Sequence, residues 1–275
     1  MVLKGLLAVV SGFAFIFSSG IPMRMISRFR PDYKKDGIYW GIGIWMLAFI
    51  ISTFLQALAR QFISGGPGIL QVNAGESSLF PYLMVGIFKT LLLQIGMLIF
   101  LKSRLKKGED ISSDGLALGF GIGLIAQIFT GMTLIGAGAG LVFQGAGMQL
   151  AEGTVQAGAV AMIANTSLFS LLSALISMIL YRVANLTVSS VQGYLVANSL
   201  VGRSSWFWLG ILVTTTFTWG ILFVQLALGQ ESPGQILGVT SPVISVLSSL
   251  YYLATFILGF RWLKKQLETS SPRKK

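Results

Sequence analysis

The sequence predicts an all-α, polytopic membrane bundle of about seven transmembrane helices. Mean hydropathy is +0.78, with 54% of the residues hydrophobic and only 11% charged. Seven apolar stretches are long enough to cross a hydrocarbon core of about 30 Å at a rise of about 1.5 Å per residue. The basic residues gather in alternate connections between those stretches. No part is long or polar enough for a separate soluble domain. Residues 1–268 therefore read as a single integral membrane domain, and residues 269–275 as a short basic cytoplasmic tail.

The first stretch, MVLKGLLAVVSGFAFIFSSGIPM, carries one lysine ahead of its apolar run, while Arg24, Arg28, Arg30, Lys34 and Lys35 follow it. A cleaved signal peptide has the opposite asymmetry, so a retained helix with its N-terminus outside is expected. Six further spans fall at about Ile38–Leu58, Phe80–Leu101, Gly115–Met132, Ala157–Tyr181, Trp206–Leu228 and Ile236–Leu263. With the N-terminus outside, 17 of the 20 basic residues fall on the cytoplasmic side, Arg182 and Arg203 being assigned to the connection after the fifth span. Lys4 and Arg60 fall outside, and Lys89 lies within a span. This distribution predicts a cytoplasmic C-terminus. It also accounts for the net charge of +11: the basic residues face the lipid bilayer's anionic head groups, and no nucleic-acid partner is expected. The outside connections, around residues 65–78 and 229–234, are short. Residues 185–205, too polar for a span and too apolar for a free loop, read as an interfacial helix on the cytoplasmic side.

Residues 115–147 hold ten glycines and no charge. Gly115, Gly119 and Gly123 recur every four residues, which places them on one helix face and lets a neighbouring backbone come close. The run is too long for a simple span. It reads as a crossing helix to about Met132 followed by a glycine-loosened continuation through Gly136, Gly138 and Gly140.

The chain has no Cys and no His. It thus lacks thiolate and imidazole metal ligands and the usual neutral-pH base. All nine acidic residues sit at span ends, in connections or in the tail. No metal site, no cofactor and no catalytic residue is predicted, and an enzyme is not the expected class. Lys89, ten residues into the third span, is the one charge near mid-bilayer, where an ionisable side chain is a functional candidate by default. The uncharged polar residues within spans include Thr90, Gln94, Gln127, Asn165 and Thr215. Such groups commonly bond helices together, and as a set with Lys89 they form the candidate ligand or partner pocket. A Ser–Lys dyad built on Lys89 stays open.

Three motifs bring a family into view. Gly86-Ile87-Phe88 precedes Lys89 and Thr90. Gly119-Phe120-Gly121-Ile122-Gly123-Leu124-Ile125-Ala126 precedes Gln127. Ala161-Met162-Ile163-Ala164 leads to Asn165. In these the chain resembles the YhfC family of bacterial polytopic proteins, assigned as glutamate-type intramembrane proteases and distantly similar to CAAX-protease and PrsW-like enzymes. The likeness covers most of the length. Where the family has paired glutamates, this chain has Lys89 and Thr90, or Leu93 and Gln94 in a second register. Where it has histidine and then glutamate, this chain has Ile122 and Ala126 or Gln127. Where it has its later histidines, this chain has Asn165 and a residue near Thr214–Thr216.

The resemblance implies a pseudoenzyme in a bacterial cytoplasmic membrane, which binds a transmembrane protein partner or a lipophilic ligand in an intramembrane pocket with Lys89 as anchor. The alternatives are a substrate-binding subunit of a small-molecule transporter working with an ATPase partner, a structural subunit of a membrane complex, and residual protease activity.

Overall fold

A computed structural model of the chain describes residues 1–29, 36–63, 79–106, 111–147, 160, 163–227 and 242–270. Among them every regular element is helical, with no strand: α1 (Val2–Phe17), α2 (Gly20–Phe29), α3 (Asp36–Ile63), α4 (Leu79–Leu105), α5 (Ile111–Gly145), α6 (Leu168–Ser199), α7 (Ser205–Ala227) and α8 (Pro242–Ser270). Four described stretches are long and apolar enough to cross a membrane: Asp36–Leu55, Ile111–Gly145, Leu168–Ser199 and Val243–Glu268. Helix α1 is apolar but shorter, at 16 residues. The expected outside connections at 65–78 and 229–234 lie outside the described residues, as do Arg30, Lys34 and Lys35, and Ala161 and Met162. Helix α8 takes in residues 269–270 of the expected tail.

The chain forms two compact units, one from Met1–Pro31, Gly123–Val188 and Ile221–Lys275, the other from Asp32–Ile122 and Ser189–Gly220. Helices α5, α6 and α7 each contribute to both.

In the first unit α1 lies antiparallel along the later part of α5. The contact is built on glycines seven residues apart, Gly5 and Gly12 on α1 against Gly131, Gly138 and Gly145 on α5. A period of seven keeps a narrow small-residue seam facing its partner over several turns. A Cβ on Gly138 would come within 2.6 Å of Gly5 O, and one on Gly12 within 2.8 Å of Gly131 O. Ala8, Phe15, Leu134, Ala137 and Leu141 fill in around the seam and join Leu171, Leu175 and Met178 of α6 in one core. This seam corrects the expectation of a loosened continuation: α5 is a continuous helix of 35 residues. Glycine weakens a helix when its backbone is left to water, and here close backbone packing against α1 removes that weakness.

Helix α1 stops at Ser18–Ser19 for a local reason. Pro22 has no N–H to offer the Ser18 carbonyl, which instead accepts a tighter bond from Ile21 N–H at 3.1 Å. The Ser18 and Ser19 hydroxyls donate to Phe15 O and Ile16 O at 2.8 and 2.7 Å.

In the second unit the start of α5 is clasped by backbone on two sides. Gly37 and Gly41 of α3 approach Ala117, Leu118 and Gly121, and Gly193 of α6 meets Gly115 and Gly119. Leu93, Met97 and Leu101 of α4 pack with Ala48, Leu118, Ile122 and Val196. The predicted close-approach role of Gly115 and Gly119 thus has a defined partner, the Ser189–Gly193 segment; Gly123 is buried in the first unit.

That partner overturns the interfacial helix expected over residues 185–205. Residues 185–199 are the second half of α6, and Thr187, Ser189, Ser190 and Gln192 are buried. The small hydroxyl side chains that looked interfacial are what permits close approach to α5. Helix α6 ends at Ser199, followed by a turn that needs glycine: Gly202 has φ +100.

Candidate functional site

The candidate pocket residues fall in both units. Lys89, Thr90, Gln94 and Thr215 belong to the second, Gln127 and Asn165 to the first.

Lys89 lies on α4 at the edge of α3, with its ammonium 5.0 Å from the centroid of the Trp45 ring and 5.7 Å from that of Phe49. The two rings are one turn apart on α3 and stack at 5.1 Å. Such rings offer a cation electrostatic attraction in an apolar setting. The lysine remains half-buried; Phe88, Ile95 and Ile99 of α4 and Met46, Phe49 and Ile50 of α3 are exposed. Thr90 is buried.

Gln94 is fully buried and reaches α7. With its amide oriented to suit its surroundings, Nε2 donates to Phe207 O at 3.0 Å and Oε1 accepts from Ile211 N–H at 2.8 Å. Phe207 and Ile211 are an i, i+4 pair, so the side chain spans one rung of the α7 ladder. Gly210 supplies the space, since a Cβ there would run into the Gln94 amide. Gln94 is therefore a helix clip. On α7 the Thr215 hydroxyl is buried without a hydrogen-bond partner.

In the first unit Gln127 lies fully buried on α5, its Nε2 donating to Phe15 O and, at 2.8 Å, to the Ser18 hydroxyl. It ties α5 to the end of α1. Its Oε1 has no donor. Asn165 is exposed, whereas the neighbouring Ala164 carbonyl accepts from the Lys4 ammonium at 2.6 Å.

One turn beyond Gln127 is Thr130, whose hydroxyl accepts from Arg182 Nη2 at 2.7 Å. Arg182 corrects the sequence reading outright. It lies not in a connection but in the interior of α6, with a relative exposure of 9%. Its guanidinium stands over the rings of Phe15 and Tyr181, at 5.6 and 4.8 Å from their centroids. Tyr181 meets Tyr252 of α8 edge-on at 5.1 Å. Among the described residues no carboxylate reaches Arg182, and its Nε is buried with no acceptor. Below Tyr252 on the same face of α8, the buried Ser245 and Ser248 hydroxyls likewise have no partner.

Neither a family model, nor a curated protein, nor a solved structure matches this chain. The site must be read from its own chemistry.

Sequence reasoning missed two buried charges. Arg182 interrupts an otherwise apolar run, LLSALISMILYRVA, and the lack of glycine or proline from there to Gly193 was the available signal. Asp114 is the other. It sits in the first turn of α5, nearly inaccessible, where the N-terminal end of the helix dipole favours a carboxylate. Among the described residues no three His, Cys, Asp or Glu side chains gather as a metal site would require.

Proposed function

We propose that this protein is a membrane protein of about seven spans, N-terminus outside and C-terminus cytoplasmic, that works by binding a transmembrane segment of a partner protein rather than by catalysis. The observation that carries this reading is Lys89. A half-buried ammonium, braced by Trp45 and Phe49 beside an apolar outward face of α3 and α4, suits a partner helix that brings a carboxylate to the same depth. The apolar stripe would supply contact area, and the charge pair would set register and choice of partner. The resemblance to the YhfC intramembrane proteases is consistent with this: a protein that keeps a frame for holding transmembrane substrates, with Lys89, Thr90 and Gln127 where the glutamates would stand, is suited to hold without cutting. A bacterial cytoplasmic membrane is the setting that the resemblance implies.

The test is affinity recovery from native membranes with wild-type protein and Lys89→Met, followed by mass spectrometry of the co-purifying proteins. The expected result is a partner lost from the Lys89→Met sample while the variant melts at the wild-type temperature. Recovery of the same partners in the same amounts would remove Lys89 as the anchor.

A further inference from the structure

In the first unit Arg182 is a fixed positive charge that no carboxylate among the described residues neutralises. A guanidinium stays protonated in any protein setting and cannot escape its desolvation cost by losing a proton. Buried cations are therefore paired, and removing one partner of such a pair is strongly destabilising. Around Arg182 the described residues supply only a neutral threonine hydroxyl and aromatic faces. One Nη is satisfied and Nε is not.

The second orphan has the opposite sense. Gln127 Oε1 is an acceptor without a donor, one helical turn from the Thr130 that Arg182 holds, and both Gln127 and Arg182 bear on Phe15. Water could satisfy either orphan atom but would leave the charge standing. A single group that answers both is an oxyanion carried next to a hydroxyl: the anion takes the Nε side of the guanidinium fork, and the hydroxyl donates to Gln127.

We propose that Arg182, with Thr130 and Gln127, forms an anion site within the helices that takes a phosphate group bearing an adjacent hydroxyl, as in the glycerol-phosphate head of an anionic phospholipid. Planar, bidentate recognition of phosphate oxygens is what an arginine fork does best. On α5, Thr130 is half-buried and its neighbours Phe129, Met132 and Thr133 are exposed, so the lipid side lies next to the site. The site is in the first unit and is independent of Lys89.

The experiment is thermal unfolding of the full-length protein in detergent, with native mass spectrometry of the same samples. The additions are phosphatidylglycerol, phosphatidylcholine, or inorganic phosphate alone. Wild type should be stabilised by phosphatidylglycerol and carry it into the mass spectrometer, with phosphatidylcholine giving little of either. Arg182→Gln should weaken phosphatidylglycerol retention about tenfold or more, the size expected for a charge-assisted bond. Arg203→Gln, which removes an exposed cation, should not. If Arg182→Gln does not fold, Gln127→Leu and Arg182→Lys carry the test: the first keeps the cation and loses the hydroxyl acceptor, the second keeps the charge and loses the fork. Each should weaken retention. Stabilisation by inorganic phosphate that Arg182→Gln abolishes would assign the same site to a free anion. Equal retention by wild type and all three Arg182 and Gln127 variants, or equal effects of the two lipids, would overturn the proposal.

Discussion

The tightest test of the architecture is a single methyl group on Gly138. A Cβ there would lie 2.6 Å from Gly5 O and 2.8 Å from Val9 N, both backbone atoms of α1 that cannot rotate away. Ordinary contact begins near 3.4 Å, so α1 must retreat from α5 by about 0.8 Å. A gap of that size forfeits about a quarter to a half of each dispersion contact across the seam, including those of Ala8, Phe15, Leu134 and Leu141. Overpacking of this kind costs about 1–3 kcal/mol, while alanine in place of glycine returns about 1 kcal/mol of helix propensity. The expected net loss for Gly138→Ala is about 0–2 kcal/mol. The matched control is Gly43→Ala on α3, where a Cβ meets nothing within 4 Å and propensity alone should act, raising stability by up to about 1 kcal/mol. Thermal unfolding in detergent reads both, at about 2–4 °C per kcal/mol for a chain of this size. Gly138→Ala raising the melting temperature as much as Gly43→Ala does would show that α1 and α5 are not in backbone contact.

Other substitutions should separate clips from bystanders. Gln94→Leu removes two bonds to α7 and should lower stability by about 1 kcal/mol, interhelical side-chain bonds in apolar bundles being worth roughly 0.6 kcal/mol each. Faster amide exchange at Ile211 should accompany it. Asp36→Asn breaks a 3.9 Å contact with Arg104 in which the aspartate is largely exposed. It should shift stability by less than about 1 kcal/mol, measured in the same unfolding assay.

The helical class was legible because composition alone forces it: a chain this apolar must satisfy its backbone internally. The close-approach roles of Gly115 and Gly119 were legible too, since a four-residue glycine spacing has one obvious use. The true lengths of α5 and α6 were not. Polar residues in a hydropathy profile read as contact with water, yet Ser189, Ser190 and Gln192 are buried by helix packing and Arg182 by aromatic rings. Burial against a distant segment leaves no local trace. The candidate site divides in the same way. Gln94 and Gln127 stood out as polar residues in apolar spans, but both bind mainly backbone groups, Phe207 O and Ile211 N–H in one case and Phe15 O in the other. Every residue offers those groups equally, so the partners could not be named in advance.

The seam between α1 and α5 joins residues about 130 positions apart, Gly5 to Gly138. At about 5–20 residues per second of synthesis, the first helix made waits roughly 7–27 s for its partner to emerge. Throughout that interval its glycine face lacks the α5 backbone that it packs against. Assembly of the first unit is thus gated by the arrival of α5. A chain interrupted before Gly131 would leave α1 without its mate.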